Sequence, residues 1–181
     1  MNFPIYSIGH GNRDIDSFFA LLKKYQIDFL IDVRSTPFSK FHSHFNKENL
    51  EIYSKTQNIR YLFMGENLGG KPKDRSCYDH EGRVLYEKIS EKSFFIEGIN
   101  RLKVAYEKNL RVACMCSELN PCDCHRSKLI GESLYKSNIE MVHIDGKGKL
   151  QNQSEVINQL TGGMSVDIFG NAMEFKSRGK Y

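Results

Sequence analysis

No apolar run in this chain of 181 residues approaches membrane-spanning length, which excludes a transmembrane helix. The opening Met1-Asn2-Phe3-Pro4-Ile5 has no charged stretch leading into an apolar core, so no signal peptide is expected. The charge excess is small: a net +4 permits an anionic ligand without requiring nucleic acid. There is no internal repeat and no linker-like segment, and the length suits one compact domain better than two. Neither nucleotide signature is complete. Gly69-Gly70-Lys71 lacks the spacing of a P-loop, and Gly9-x-Gly11 does not finish a dinucleotide fingerprint. The five cysteines are odd in number, and four of them crowd into 114–124, which argues against a secreted disulfide framework. Reduced thiols, 40% hydrophobic content and a mean hydropathy of -0.50 predict a soluble cytoplasmic protein with no membrane partner.

What is present reads as alternating strands and helices. The apolar run at 3–8, broken by Gly9-His10-Gly11, predicts a first strand and its exit loop. Ile15, Phe18, Phe19, Leu21 and Leu22 recur with helical spacing over 14–25, with Asp14 as N-cap. The run at 28–33 is nearly continuous in apolar residues, as a strand covered on both faces must be. Helices are also expected over 46–55, 92–108 and 124–136, and strands over 60–63, 110–115 and 139–144. Residues 65–82, rich in glycine, proline and charge, read as a long connection that is either functional or mobile. Beyond Gly146 the pattern turns polar and irregular. The chain therefore divides into an α/β domain over 1–146 and a polar extension over 147–181, packed on that domain or trailing from it.

This alternation predicts a single-domain α/β fold: an open, mainly parallel sheet with helices on both faces and Rossmann-like layering. In such sheets ligands bind beyond the carboxyl ends of the strands. The polar clusters fall at those ends. His10 and Arg13 follow the first strand, Arg34 and Ser35 the second, and Glu66 the third. Cys116 and Glu118 end the fourth, and His143 lies near the end of the last.

Several segments carry a family resemblance. They are Tyr6-Ser7-Ile8-Gly9-His10 with Asn12-Arg13, Asp32-Val33-Arg34-Ser35-Thr36-Pro37-Phe38-Ser39, Phe45-Asn46-Lys47, and Tyr61 with Gly65-Glu66-Asn67-Leu68-Gly69-Gly70. Met115-Cys116-Ser117-Glu118, Cys124-His125-Arg126 and Val142-His143-Ile144 complete the set. In this order the chain resembles the bacterial and archaeal family called domain of unknown function 488. The resemblance implies an α/β fold and a site, and no particular reaction. The family pattern has cysteines at 116 and 124 and not at 114 or 122, which weakens any site needing four thiols.

Three chemistries compete for the stretch 114–127. A thiol enzyme fits a cysteine at a strand end facing a helix N-terminus, with His125 and Arg126 adding positive charge. Rhodanese-like domains have a similar Asp-Val-Arg after an early strand. Here, however, nine residues separate Cys116 from Arg126, and no cysteine stands six before an arginine in this loop. A zinc site could draw on Cys114, Cys116, Cys122, Cys124 and His125, but Cys-x-Cys spacing is a weaker signal than the usual knuckles. Anion recognition is favoured: Arg13, Arg34 and Arg126 offer planar forks at three strand ends; the competing reading is a salt-bridged scaffold that pairs Arg34 and Arg126 with Asp32 and Glu118.

The reading is an enzyme, a hydrolase or transferase, that binds an anionic substrate: phosphorylated, nucleotide or nucleic acid. His10, Glu118 and Cys116 are the catalytic candidates. Arg13, Arg34, Ser35, Glu66, Cys124, His125 and Arg126 are the substrate-binding candidates. No residue is assigned to a metal, and no motif names a cofactor. Alternatives are thiol or zinc chemistry, or a non-catalytic nucleic-acid module using the loop 38–45 with Lys71-Pro72-Lys73. In that loop the phenylalanines are expected to anchor to the core, and His42 and His44 to be solvated.

Overall fold

The computed structural model describes residues 2–164 and 174–181. The first apolar run forms β1 (Ile5–Gly9), and α1 (Ile15–Lys24) follows where Asp14 caps it, its carboxylate accepting from the Ser17 N–H at 2.8 Å. β2 (Phe29–Asp32), α2 (Lys47–Thr56) and β3 (Arg60–Phe63) come next. The connection at 65–82 is not featureless, since it opens with the short α3 (Gly65–Leu68) and leads through a single turn to β4 (Arg83–Leu85). Then come α4 (Tyr86–Ser90), the long α5 (Ser93–Glu107) and β5 (Val112–Cys116). The helix expected over 124–136 is wound as a π-helix across Arg126–Gly131 before it becomes α6 (Glu132–Tyr135). β6 (Met141–Ile144) ends the region read as regular.

The polar extension is ordered further than its composition suggested. β7 (Leu150–Asn152) pairs antiparallel with β6. α7 (Gln153–Thr161) starts with a capping box between Asn152 and Glu155 and stops at Gly162, whose φ of 63° is the left-handed C-cap a glycine supplies without strain. β8 (Lys176–Lys180) pairs antiparallel with β4. Residues 165–173 of the extension lie outside the described residues.

The sheet runs β3-β2-β5-β1-β6-β7, parallel throughout except for β7. Its side chains alternate between two cores. Ile31, Cys114 and Met141 face the layer of Leu68, Phe95, Ile99, Leu102 and Leu134; Ile8, Leu30 and Met115 face Phe18, Phe19, Leu22 and Leu50. Burying a side chain such as Phe18 stabilises the fold by about 1.5–3 kcal/mol relative to leaving it in water.

This layering fixes where a cleft can open. β1 and β2 lead into helices on one face of the sheet, while β5 lies between them and leads into the helix on the other. The chain thus parts in opposite directions at the carboxyl end of β5, where a crevice forms in an open parallel sheet. Cys116 ends that strand, in register with Gly9. Among the described residues no helix is long and apolar enough to cross a membrane.

Candidate functional site

A cleft of about 210 Å³ opens at this position. Cys116, Glu118 and His125 line its inner end, and Arg34, Ser35, Gly70, Lys71, Tyr86, Arg178 and Tyr181 line its walls.

The inner end is a cluster of two sulfurs, an imidazole and a carboxylate. The Cys116 thiol donates to Glu118 Oε2 at 2.8 Å, and Cys124 Sγ stands 3.4 Å from the same oxygen. His125 Nδ1 is 3.8 Å from Cys116 Sγ and 3.7 Å from Cys124 Sγ. The opposite ring nitrogen, Nε2, donates to the Val33 carbonyl at 3.1 Å. A carbonyl only accepts, so Nε2 carries a proton and Nδ1 is the ring nitrogen that faces the sulfurs. Gly70 lets the ring sit close, because a Cβ there would come within 2.8 Å of it.

Behind the sulfurs lies Arg126, fully buried. Its Nη2 donates to the Glu118 carbonyl at 2.6 Å, Nη1 to Ser7 Oγ at 3.1 Å and Nε to Cys124 Sγ at 3.2 Å. Gly9 permits this approach, since a Cβ there would overlap the same Glu118 carbonyl. None of these acceptors is a carboxylate. The expected pairing of Arg126 with Glu118 therefore reaches only its backbone. A buried cation without a counter-charge costs several kcal/mol, and the one acceptor able to carry negative charge is the Cys124 sulfur. Ser7 is held in turn: His143 Nδ1 accepts its hydroxyl at 2.6 Å, and His143 Nε2 donates to Gln153 Oε1 at 2.7 Å. Gln153 then donates to the Ser127 carbonyl and to Glu132.

The two thiols titrate in opposite directions. The neighbouring Cys124 sulfur, burial and the charge of Glu118 push the Cys116 thiol well up. Burial pushes Cys124 up as well, but the nearby Cys116 thiol and the charges of Arg126 and His125 outweigh it and hold this thiol well below its ordinary value. Burial alone dominates for Cys114, pushed up to about 12. Burial also lowers His10 and His143 to about 4 each, so both are neutral rings.

The walls hold the cations. Arg34 is bound side-on to Asp32, Nε to Oδ1 at 2.9 Å and Nη2 to Oδ2 at 2.6 Å, and Nη2 also donates to the Phe45 carbonyl at 2.8 Å. Tyr61 donates its hydroxyl to Asp32 at 2.7 Å. Only Nη1 of Arg34 has no partner among the described residues, and Arg34 lines the cleft. The Lys71 N–H donates to Ser35 Oγ at 2.9 Å, while its ammonium lies 3.7 Å from the centre of the Tyr181 ring. Arg178 reaches Asp123 at 3.5 Å and is largely exposed.

Of the residues expected at the site, Cys116, Glu118, His125, Arg34 and Ser35 meet in the cleft, with Cys124 and Arg126 directly beneath it. His10, Arg13 and Glu66 do not join them. His10 stacks on Phe45 at 4.3 Å and donates Nδ1–H to the Gly11 carbonyl; its buried Nε2 has no partner among the described residues. Arg13 spends its guanidinium on the Gly9 and Asp145 carbonyls at 2.5 and 2.7 Å, tying β1 to the turn after β6. Glu66 is exposed on α3. His42 and His44 are not simply solvated: half-buried, they pack against His10 and Phe45. Of the loop phenylalanines only Phe45 anchors, while Phe38 is 63% and Phe41 92% exposed. Cys114 is sealed in the sheet, and Cys122 turns toward Val156 and Gln159. Sequence reasoning missed Tyr86, Arg178 and Tyr181; the last two lie in the polar extension, where no periodicity marks them.

A strand-end cleft in a mainly parallel α/β sheet, floored by thiols and an imidazole, defines the class. The chain belongs to the family described as Domain of unknown function DUF488, whose model matches residues 14–132. No curated protein and no solved structure matches it.

Proposed function

We propose that this protein is an enzyme acting on a small anionic substrate, a phosphorylated compound or nucleotide, held in the strand-end cleft. The reading is carried by one observation: a thiol–imidazole–carboxylate floor shares an opening with Arg34 Nη1, Lys71 and Arg178. The cations bind the substrate's charge, and Ser35 fixes the backbone at Lys71. Glu118, beside Cys116, is the group placed to move a proton at the reacting atom. A volume of about 210 Å³ admits a phosphoryl group with one ring and no duplex. The five free thiols support work in a reducing compartment such as a cytoplasm.

The test is calorimetric titration of the full chain with inorganic phosphate, pyrophosphate and nucleoside mono-, di- and triphosphates. At least one should bind, and the double variant Lys71→Ala/Arg178→Ala, which removes two cations, should weaken it by about tenfold or more. Absence of binding, or equal binding by the double variant, rejects the reading.

A second reading rests on Phe38 and Phe41, which stand in solvent on either side of Lys40. Exposed aromatic rings beside a cation suit stacking on single-stranded nucleic acid. Binding of a labelled single strand should fall steeply as salt rises, and Phe41→Ala should weaken it. No binding at low salt removes this reading.

A further inference from the structure

We propose that Cys116, Cys124 and His125 are the protein ligands of a zinc ion whose fourth position opens into the cleft. The proposal deepens the enzymatic reading and rests on it only for the use of that open position.

The donor atoms already converge. The two sulfurs and His125 Nδ1 lie within 4.8 Å of one another, and all three residues are buried. A tetrahedral zinc with Zn–S of about 2.3 Å and Zn–N of about 2.0 Å separates a sulfur from a nitrogen by roughly 3.6 Å. The two distances here are 3.7 and 3.8 Å, so the imidazole needs almost no movement to share an ion with either sulfur.

The surroundings are those a metal site requires. His125 offers Nδ1 because Nε2–H is anchored on the Val33 carbonyl, the outer contact that fixes a ligating ring. The backbone N–H of Arg126 points at Cys124 Sγ at 3.5 Å, and its Nε at 3.2 Å, so a thiolate would receive two hydrogen bonds. Charge also closes: two thiolates and Glu118 offset a divalent ion and the buried Arg126, which has no carboxylate partner among the described residues. Glu118 Oε2 stands 2.8 Å from Cys116 Sγ on the cleft side, placed beside the open position to take a proton from a bound water. Three protein ligands with one free position is the arrangement of a catalytic zinc, not a structural one. Two thiolates and an imidazole favour zinc over the oxygen-seeking magnesium and calcium.

The site escapes spacing rules because two ligands are consecutive residues. Cys124 and His125 precede the π-wound turn at Arg126–Gly131, and their side chains reach one point from adjacent backbone positions. Cys114 and Cys122, which a four-thiol site would need, face elsewhere.

The decisive experiment loads the purified, reduced full-length protein with Zn²⁺ after chelation and reads stoichiometry by elemental analysis and affinity by competition with a chromophoric chelator. Co²⁺ is substituted in parallel. One ion per chain is expected, with a sulfur-to-cobalt charge-transfer band and the intense visible bands of tetrahedral cobalt. Cys116→Ser, Cys124→Ser and His125→Ala should each weaken zinc by more than about 100-fold, beyond what loss of an outer contact does, while Cys122→Ser keeps wild-type affinity. Should a variant fail to fold, the cobalt spectrum of the wild type still decides. No uptake, a spectrum without the charge-transfer band, or a Cys116–Cys124 disulfide persisting under reductant overturns the proposal. Phosphate titration of the chelated protein separates the two claims: anion binding that depends on Lys71 without zinc uptake sinks only the metal. Zinc uptake with no anion binding sinks only the substrate.

Discussion

Two buried arginines stand at neighbouring strand ends, and they are neutralised in opposite ways. Arg34, after β2, meets a carboxylate side-on, and Tyr61 completes that carboxylate's shell. Arg126, after β5, meets a hydroxyl, a carbonyl and a sulfur. The first is a closed structural pair that leaves one nitrogen over for the cleft. The second is an open account of charge, settled only when the sulfurs beside it are anionic. The β2 end is therefore a closed ion pair, and the β5 end is the one where the proposed chemistry would take place.

The largest break of this contrast is at Asp32. Asp32→Ala strands the Arg34 guanidinium in the interior and should cost about 3–5 kcal/mol, read as a lowered urea midpoint. A loss below about 1 kcal/mol would show that Arg34 finds solvent or another partner, and the pair would not be structural.

The next effect is acid lability. His10 and His143 have folded values of about 4 against an ordinary 6.5, both through burial. Their neutral form is the folded form, so stability is whole above the unfolded value. It is lost as pH falls from there toward the folded value, because the unfolded chain takes up protons first. By about pH 5 each ring should cost on the order of 2 kcal/mol. His10→Phe should remove its share of the decline in denaturation measured between about pH 7 and pH 5; an unchanged slope would place the titration elsewhere.

Of similar size is the effect of Arg126→Met on zinc. Losing the Nε contact to Cys124 should weaken the ion by about 10–100-fold in chelator competition, and Asp32→Asn should leave it unchanged. Equal losses would erase the distinction between the two strand ends. The smallest effect belongs to the rim: Arg178→Ala removes an exposed ion pair and should alter stability by less than about 0.5 kcal/mol.

What could be read beforehand follows the range of the forces involved. The strands and Asp14 as cap rest on local pattern, and the rim follows from parallel topology, so Arg34, Cys116 and His125 were found. His10 and Arg13 sit at the same strand end but turn to Phe45 and to backbone carbonyls, partners that only tertiary packing selects. The start of α7 was readable, since Asn152 and Glu155 form a capping box at the standard spacing. β8 was not, because Lys176–Lys180 has no apolar alternation and exists by pairing with β4. The π winding has no sequence signature, and with it the meeting of Cys124 and His125 at one point was hidden.

The pairing of β8 with β4 divides the cleft between two parts of the chain. Its floor falls wholly within residues 14–132, the span shared with the family, while Arg178 and Tyr181 come from outside it. Floor and doorway can therefore change separately: re-spelling the last strand would alter the mouth of the cleft and leave the thiol and imidazole floor untouched.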